Sequence, residues 1–299
     1  MRVFTDTSNY FNINSNDVIC AGEDLFLVRG TETEKRFGLD DEPKYWVKRA
    51  HDLRTGRRKV LKLAFFETYE GVIGQIKFTF FRNPKKEARI LNLVKGHPHF
   101  MQGYSVEDDS GNNLRILDFV EGPTLADHII DLPGTHEEYF HNQLPEILDK
   151  LLQAYTALRL LHEHRTTHGD IRRDHLLVEK DSGRYVWIDF DYAYRTKENP
   201  FGFDLFGLGN VLAFVVGKGD VLMGDLRREQ PDLAGRMIDD DLNIVWSNRV
   251  MNLRKIYPYI PIQLHHTLMH FSRGTEVYYD SVDDLIEDIG MSRDQIHHS

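Results

Sequence analysis

The sequence contains a single cysteine, Cys20, so no disulfide bond can form within the chain. One cysteine among 299 residues is typical of a protein from a reducing compartment, and we expect a cytoplasmic location. No apolar run approaches the length of a membrane-spanning helix, and residues 1–6 lack the pattern of a signal peptide. Lys and Arg are outnumbered 37 to 47 by Asp and Glu. The resulting formal charge of −10 disfavours general binding to nucleic acid.

The most informative feature is a pair of short acidic segments. Residues 168–175 read His-Gly-Asp-Ile-Arg-Arg-Asp-His, and residues 187–191 read Trp-Ile-Asp-Phe-Asp. The residues between them form two apolar runs around an Asp-Ser-Gly turn, which predicts a β-hairpin. Such a hairpin would allow Asp170 and Asp189 to share one pocket, one beside a reacting hydroxyl and one on a divalent metal. Phosphoryl transfer needs this arrangement, because its catalysis is mostly positioning and charge neutralisation.

These two segments resemble the H-R-D-x-x-x-x-N and D-F-G motifs of the protein-kinase superfamily. The resemblance continues in chain order over residues 24–289. It implies an α+β, two-lobed protein-kinase-like fold. Residues 1–120 would form an N-lobe with a five-stranded antiparallel sheet and one helix. Residues 121–299 would form a mostly helical C-lobe that carries the catalytic loop.

The resemblance gives two residues of the N-terminal part a role in binding ATP. Lys62 lies in the strand pattern Arg-Lys-Val-Leu-Lys-Leu of residues 58–63 and stands in the position of the lysine that grips the phosphates. A helix is predicted over residues 84–94, with Pro84 in its first turn, and Glu87 on this helix would hold Lys62 in place. Both residues also fit a simpler interpretation, in which they are solvated side chains on a strand edge and a helix face.

The resemblance also implies where adenine would bind. Strand residues 114–120 run into Glu-Gly-Pro-Thr-Leu, which is similar to the kinase hinge, and main-chain groups at Asp118 and Val120 would pair with adenine. The glycine-rich loop would start at Gly30, but residues 30–38 lack the G-x-G-x-x-G pattern and are rich in acidic side chains. The apolar residues that would enclose adenine, and that ordinary core packing explains equally well, are Val47, Val60, Leu117, Leu177 and Ile188.

The same resemblance assigns roles within the two acidic segments. Asp170 would act as the base or as the carboxylate that orients the acceptor hydroxyl, and Asp189 would bind Mg²⁺ across the ATP phosphates. Arg172 takes the place of a lysine that contacts the transferred phosphate, a role that a permanently charged guanidinium can fill. His168 is interpreted as a structural residue of the catalytic loop.

His175 stands where the family has a metal-binding asparagine. Imidazole prefers transition metals, so a ligand role for His175 would favour Mn²⁺ over Mg²⁺. Kinases that act on the lipopolysaccharide core resemble this sequence in having histidine at that place. His175 as a packing residue, in a protein without a second metal, remains an equal alternative.

Three departures from the family concern the acceptor and its regulation. Gly169 replaces the arginine of H-R-D, and Asp191 replaces the glycine of D-F-G, which removes a flexible point. Only 15 positions separate Asp189 from Asp204, which begins the next buried-helix motif, and no A-P-E lies among them. An H-G-D motif with a short segment is typical of aminoglycoside and choline phosphotransferases and of some small atypical protein kinases. We therefore expect an activity that needs no activation loop.

The favoured hypothesis is an ATP- and metal-dependent phosphotransferase that acts on a hydroxyl group, either a Ser/Thr-type kinase or an atypical one. The degenerate glycine loop and His175 support one alternative, a pseudokinase that binds nucleotide weakly and acts as an interaction scaffold. A two-domain binding protein unrelated to kinases is a third, if the order of the motifs is coincidental. The sequence leaves the acceptor open among a protein side chain, a sugar and a lipid headgroup.

Overall fold

The computed structural model of the protein describes residues 1–34, 42–73 and 76–297 and has the mixed α+β composition that the sequence predicts. Its strands are β1 (Val3–Phe4), β2 (Val18–Ala21), β3 (Asp24–Glu34), β4 (Glu42–Asp52), β5 (Arg58–Lys62), β6 (Thr68–Ile73), β7 (Ile76–Arg82), β8 (Gly103–Glu107), β9 (Asn113–Asp118), β10 (Leu176–Val178), β11 (Tyr185–Trp187) and β12 (Tyr192–Arg195). Its helices are α1 (Pro84–Leu93), α2 (Leu125–Asp131), α3 (His136–Asn142), α4 (Leu144–Glu163), α5 (Gly202–Val216), α6 (Met223–Glu229), α7 (Pro231–Ala234), α8 (Ile262–Met269) and α9 (Val282–His297). Every helix within the described residues is too short or too polar to cross a membrane.

The chain divides into two compact units. The first contains Met1–Thr68, Phe81–Val120 and Phe190–Ala193, and the second contains the remaining residues. The sequence analysis placed one boundary after residue 120. It did not anticipate that residues 69–80 would belong to the second unit and residues 190–193 to the first.

A seven-stranded sheet in the order β1-β2-β3-β4-β5-β9-β8 forms the first unit. Strands β3, β4, β5, β9 and β8 pair antiparallel in that order, and the sheet has two strands more than the five that the sequence analysis expected. The two additional strands, β1 and β2, come from the N-terminal residues, where no strand was predicted, and they pair in parallel. Strand β3 also continues through Gly30 to Glu34, although the sequence analysis ended it at the glycine. The predicted glycine loop therefore begins inside a strand, and its residues 35–38 lie outside the described residues.

One face of this sheet carries Lys62, and the other face carries a hydrophobic core. Because side chains alternate along a strand and directly paired residues share a face, the register assigns each residue to one side. Val47 pairs with Lys62 and Val60 pairs with Leu117, so these four side chains share one face. The opposite face carries a hydrophobic core that includes Ile19, Phe26, Val28, Leu61 and Ile116.

Helix α1 follows β7 along the chain and packs against β8 and β9. The side chain of Asn83 caps its first turn by accepting hydrogen bonds from the main-chain N–H groups of Lys85 and Lys86. Pro84 occupies the first helical position, where its missing N–H costs nothing, as the sequence predicted. The capped first turn fixes the direction in which Glu87 projects.

Helix α4 is the longest helix of the second unit and packs against α3, α5, α9 and β11. Strands β10 and β11 form the predicted antiparallel hairpin, with Leu176 opposite Trp187. The indole of Trp187 donates a hydrogen bond to the carbonyl of Ala154 on α4 (2.8 Å), which fixes the hairpin to the helix. Asp170 precedes this hairpin and Asp189 follows it.

The second unit also contains most of a hairpin, β6–β7, that the sequence analysis did not predict. Strand β7 lies in the centre of a three-stranded sheet with the order β12-β7-β6. Phe78 and Phe80 of β7 pack on Tyr194 and Phe203, with ring centroids 4.7 to 6.3 Å apart. This aromatic cluster holds the hairpin against the start of α5.

Candidate active site

Lys62 and Glu87 form a buried ion pair in the first unit. The Lys62 Nζ lies 2.8 Å from Glu87 Oε1, and the two residues are only 5% and 0% exposed. The second Glu87 oxygen accepts a hydrogen bond from Nε of Arg115 at 3.1 Å. The interpretation of Lys62 and Glu87 as solvated surface side chains is therefore wrong. Burying these charges is costly, and they must compensate one another.

Arg115 is a member of this buried charge group that the sequence analysis missed. It interrupts the apolar run of β9 and pairs in register with Lys62, so both side chains share a face of the sheet. A charged residue inside an otherwise apolar strand was the signal that could have identified it, because such a residue is rarely buried without a partner.

Asp191 and Arg82 form a second buried ion pair in the first unit, with Arg82 NH1 2.6 Å from Asp191 Oδ2. The same carboxylate oxygen lies 3.7 Å from Lys62 Nζ. The sequence analysis noted Asp191 only as a replacement for glycine and did not single out Arg82. The available signal for Arg82 was its position directly before Asn83, the residue that caps helix α1.

The loop of residues 168–175 in the second unit is anchored by the fully buried Asp204. Its carboxylate accepts hydrogen bonds from the main-chain N–H groups of His168 (2.8 Å) and Gly169 (2.9 Å). It also lies 3.1 Å from His162 Nε2. Burial opposes its ionisation, but the His162 hydrogen bond, the nearby imidazoles and the Gly169 amide outweigh this and lower the pKa of Asp204. The loop is thus held by a carboxylate that stays ionised.

Asp170, Arg172 and His175 lie close together in this loop. The Asp170 side chain is 21% exposed, and Oδ2 lies 3.4 Å from His175 Nδ1, while Oδ1 lies 3.9 Å from Arg172 Nε. His175 is 4% exposed, and its Nδ1 lies 2.8 Å from the carbonyl oxygen of Asp170. Since a carbonyl only accepts, Nδ1 carries the proton and Nε2 has the free electron pair. That pair faces Arg172 NH2 at 2.9 Å and Asp189 Oδ2 at 3.5 Å.

The donor set at Asp189 suits a metal that is shared with phosphate oxygens. Asp189 and His175 supply a carboxylate and an imidazole nitrogen, and a ligand histidine commonly donates its other N–H to a main-chain carbonyl, as His175 does. No group of three or more His, Cys, Asp or Glu side chains in the described ranges could hold a metal by itself. Mg²⁺ is usually bound by one or two carboxylates together with substrate phosphates, so the residues fit such an ion.

The predicted adenine-binding residues are distributed over both units. In the first unit, Val47, Val60 and Leu117 share the Lys62 face of the sheet. In the second, Leu177 and Ile188 lie on or directly after the β10–β11 hairpin. The list is completed by Gly30 in β3, Asp118 at the end of β9, and Val120 directly after it.

Asp118 can use only part of its main chain for pairing with adenine. Its N–H already donates to the carbonyl of Gln102 at 2.8 Å, so adenine pairing at this residue would have to use the carbonyl oxygen. Its exposed carboxylate is paired with Lys59 on the neighbouring strand.

A cavity of about 940 Å³ lies elsewhere in the second unit. Its walls include Phe78 of the β6–β7 hairpin, Phe206 of α5, and Phe271, Arg273 and Tyr278 of the loop after α8. None of the residues that the sequence assigned to a site lines it.

Comparisons with known proteins point to kinases. The sequence is 29% identical over 116 residues to a ribosomal protein S6 kinase alpha-2 of Caenorhabditis elegans, covering 38% of this chain and 14% of that protein. It is 24% identical over 143 residues to EKC/KEOPS complex subunit bud32 of Dictyostelium discoideum, covering 46% of this chain and 52% of the relative. The chain thus matches about half or less of each relative. No family model matches the sequence.

Among solved structures, the crystal structure of Rad53 1-466 in complex with AMP-PNP is similar to this chain. The match has a TM-score of 0.50 and 14% sequence identity, and it covers 81% of this chain and 60% of that one. The chain therefore has a protein-kinase-like fold. Together with the sequence matches, this supports a relationship to the protein-kinase-like superfamily.

Proposed function

We propose that the protein is an ATP- and metal-dependent phosphotransferase that transfers phosphate to a hydroxyl group. The buried ion pair between Lys62 and Glu87 supports this proposal best. An ammonium group held at 2.8 Å in a dry environment is ready to bind phosphate oxygens, whereas a structural role alone would not require a charged pair there.

Within the first unit, Lys62 contacts the α- and β-phosphates and Glu87 fixes its position. Arg115 fixes Glu87 in turn through its hydrogen bond to the second carboxylate oxygen. Adenine pairs with main-chain groups at Asp118 and Val120. Val47, Val60 and Leu117 supply apolar contacts to the base, and Gly30 begins the segment that covers the phosphates.

Within the second unit, Asp170 orients the acceptor hydroxyl and takes up its proton, since its carboxylate is partly exposed. Arg172 is placed to neutralise charge on the transferred phosphate. Asp189 and His175 bind the divalent ion, Mg²⁺ or Mn²⁺, which supplies charge neutralisation at the phosphates when bound.

The proposal extends to the class of enzyme. The H-G-D motif and the short segment between Asp189 and Asp204 support a Ser/Thr-type or atypical kinase, or a phosphotransferase of the H-G-D type, that is active without loop phosphorylation. His175 is the feature shared with lipopolysaccharide-core kinases. The acceptor is a protein side chain, a sugar or a lipid headgroup, and the single cysteine supports a cytoplasmic site of action.

One observation favours the pseudokinase alternative. The free electron pair of His175 Nε2 faces Arg172 NH2 at 2.9 Å, so Arg172 competes with a metal for this nitrogen. A protein that keeps this contact would bind nucleotide with a single protein ligand for the metal and would work as a scaffold.

Replacement of Lys62 distinguishes these possibilities. We expect Lys62→Met to abolish phosphate transfer from labelled ATP and to weaken ATP binding measured by calorimetry, because the phosphates lose their cation. Lys48→Met is the matched control, since Lys48 is equally buried but projects from the opposite face of the sheet. Equal activity of wild type and Lys62→Met would contradict the proposal. Binding of ATP by the wild type without any transfer would support the scaffold.

A further inference from the structure

Residues 190–192, directly after Asp189, are fixed to the beginning of α1 within the first unit. The main-chain N–H of Asn83 donates to the carbonyl of Asp191 at 2.8 Å, and Arg82 pairs with the Asp191 carboxylate. The guanidinium of Arg82 also lies over the ring of Tyr192, 4.1 Å from its centroid. The buried ammonium of Lys86 donates to the Tyr192 carbonyl. A flexible glycine at position 191 could not make the ion pair.

The Asp191 carboxylate belongs to a continuous set of buried charges. Ion pairs connect Arg115 to Glu87, Glu87 to Lys62, Lys62 to Asp191, and Asp191 to Arg82. None of the five side chains is more than 6% exposed. The more exposed carboxylate of Glu67 also lies 3.8 Å from Nε of Arg82, so with Glu67 three cations face three carboxylates.

The distances show how the two carboxylates share the cations. Asp191 Oδ2 is 2.6 Å from Arg82 but 3.7 Å from Lys62, so Arg82 provides most of its compensation. The other oxygen, Oδ1, is buried and has no hydrogen-bond donor among the described residues. Without Arg82, Lys62 would be the remaining described cation within 4 Å of this carboxylate. An uncompensated buried carboxylate would then draw Lys62 away from Glu87.

We propose that Arg82 and Asp191 are positioning residues of the phosphate-binding site, an inference that rests on the proposed function. Arg82 neutralises Asp191 and thereby keeps Lys62 paired with Glu87, in the position proposed for contact with the ATP phosphates. Asp191 in turn fixes the residues that follow Asp189 to α1, which also carries Glu87. Asp191 stands where related kinases have a flexible glycine, and its ion pair with Arg82 connects residues 190–192 to the start of α1.

The experiment compares ATP affinity, measured by calorimetry, in variants of the full chain. Arg82→Gln should weaken ATP binding about tenfold, because Asp191 then competes for Lys62. Arg82→Gln combined with Asp191→Asn should recover an affinity within about threefold of wild type, because the competing charge is gone. Arg82→Lys keeps the charge and should bind ATP nearly as wild type does. Arg2→Gln is the control, since it removes an ion pair of the same 2.6 Å length to Asp17.

Recovery of ATP affinity in the double variant distinguishes a positioning role from a purely structural one. If the ion pair only stabilised the fold, removing Asp191 as well as Arg82 would not restore the affinity. An unchanged affinity in Arg82→Gln, or a double variant no better than the single one, would overturn the inference. If Arg82→Gln does not fold, Arg82→Met with Asp191→Asn removes both charges with little change in side-chain volume. This variant should bind ATP like wild type, and weakened binding would overturn the inference. If the variants show this loss and recovery of ATP affinity but the wild type transfers no phosphate, only the proposed function would be contradicted.

Discussion

Gly169 and Asp189 both adopt the left-handed backbone region, with φ of +88° and +63°. Gly169 does so without strain because it has no Cβ, which explains why glycine follows His168 in this loop. Asp189 has a Cβ and is held there at a cost of about 1–2 kcal/mol. Such strained non-glycine residues concentrate at functional sites, where surrounding contacts enforce them. The backbone of Asp189 thus agrees with its proposed role as a metal ligand.

His175 should determine the metal preference, because its Nε2 lies 3.5 Å from Asp189 Oδ2. If it is a ligand, wild type should be more active with Mn²⁺ than with Mg²⁺, and His175→Asn should shift the ratio toward Mg²⁺. Initial rates at saturating concentrations of each ion measure the ratio. His164→Asn is the control, since His164 is exposed at the end of α4. A ratio that His175→Asn leaves unchanged would show that His175 only packs in the loop.

At the scale of elements, the β10–β11 hairpin carries at its ends the two acidic segments to which the proposed function assigns catalysis. Its position is set by the Trp187 hydrogen bond to α4, while Asp204 of α5 holds the loop that precedes it. Two helices therefore fix one loop and one hairpin, and none of these contacts depends on a residue that touches substrate.

Asp170→Asn and Asp189→Asn should each lower the rate of transfer by roughly 10²-fold or more, by different routes. Asp189→Asn should also weaken metal-dependent ATP binding, because a metal ligand is lost. Asp170→Asn should leave ATP affinity nearly unchanged. Rates and calorimetric affinities separate the two, with Asp181→Asn in the exposed hairpin turn as the control. Wild-type rates in both variants would be incompatible with phosphotransfer at this site.

At the scale of the whole molecule, the core of the first unit contains a charge that opposes folding. Lys48 is 1% exposed and projects onto the apolar face of the sheet, beside Leu61 in register. Its Nζ donates to Thr31 Oγ1 at 3.2 Å. Burial lowers the pKa of Lys48 from 10.5 to about 8, because the charged amine is poorly solvated there.

Lys48 should make stability depend on pH. Since the folded state releases its proton near pH 8 and the unfolded state near 10.5, the unfolded state binds more protons in between, and stability rises across that window. Lys48→Met should increase the free energy of unfolding at pH 7 by roughly 3 kcal/mol. It should also remove the rise above pH 8. Urea titrations between pH 7 and 9.5 measure the free energy of unfolding of wild type and Lys48→Met. If this free energy changes with pH in the same way in both proteins, Lys48 is not the cause of the pH dependence.

The sequence by itself determined the elements whose signals are local. Helix α1 and the β10–β11 hairpin follow from apolar periodicity, Pro84 and the Asp-Ser-Gly turn, which act over a few residues. The order of the motifs likewise predicted the kinase-like fold.

Tertiary structure alone decided which charges meet. Arg82, Arg115 and Asp191 are far apart in the chain, and no periodicity predicts their convergence around Lys62. Strands β1 and β2 were missed because each is short and stable only when paired with the rest of the sheet. Likewise, the burial of Lys62 and Glu87 depends on long-range packing, because a lysine in a strand and a glutamate on a helix are normally solvated.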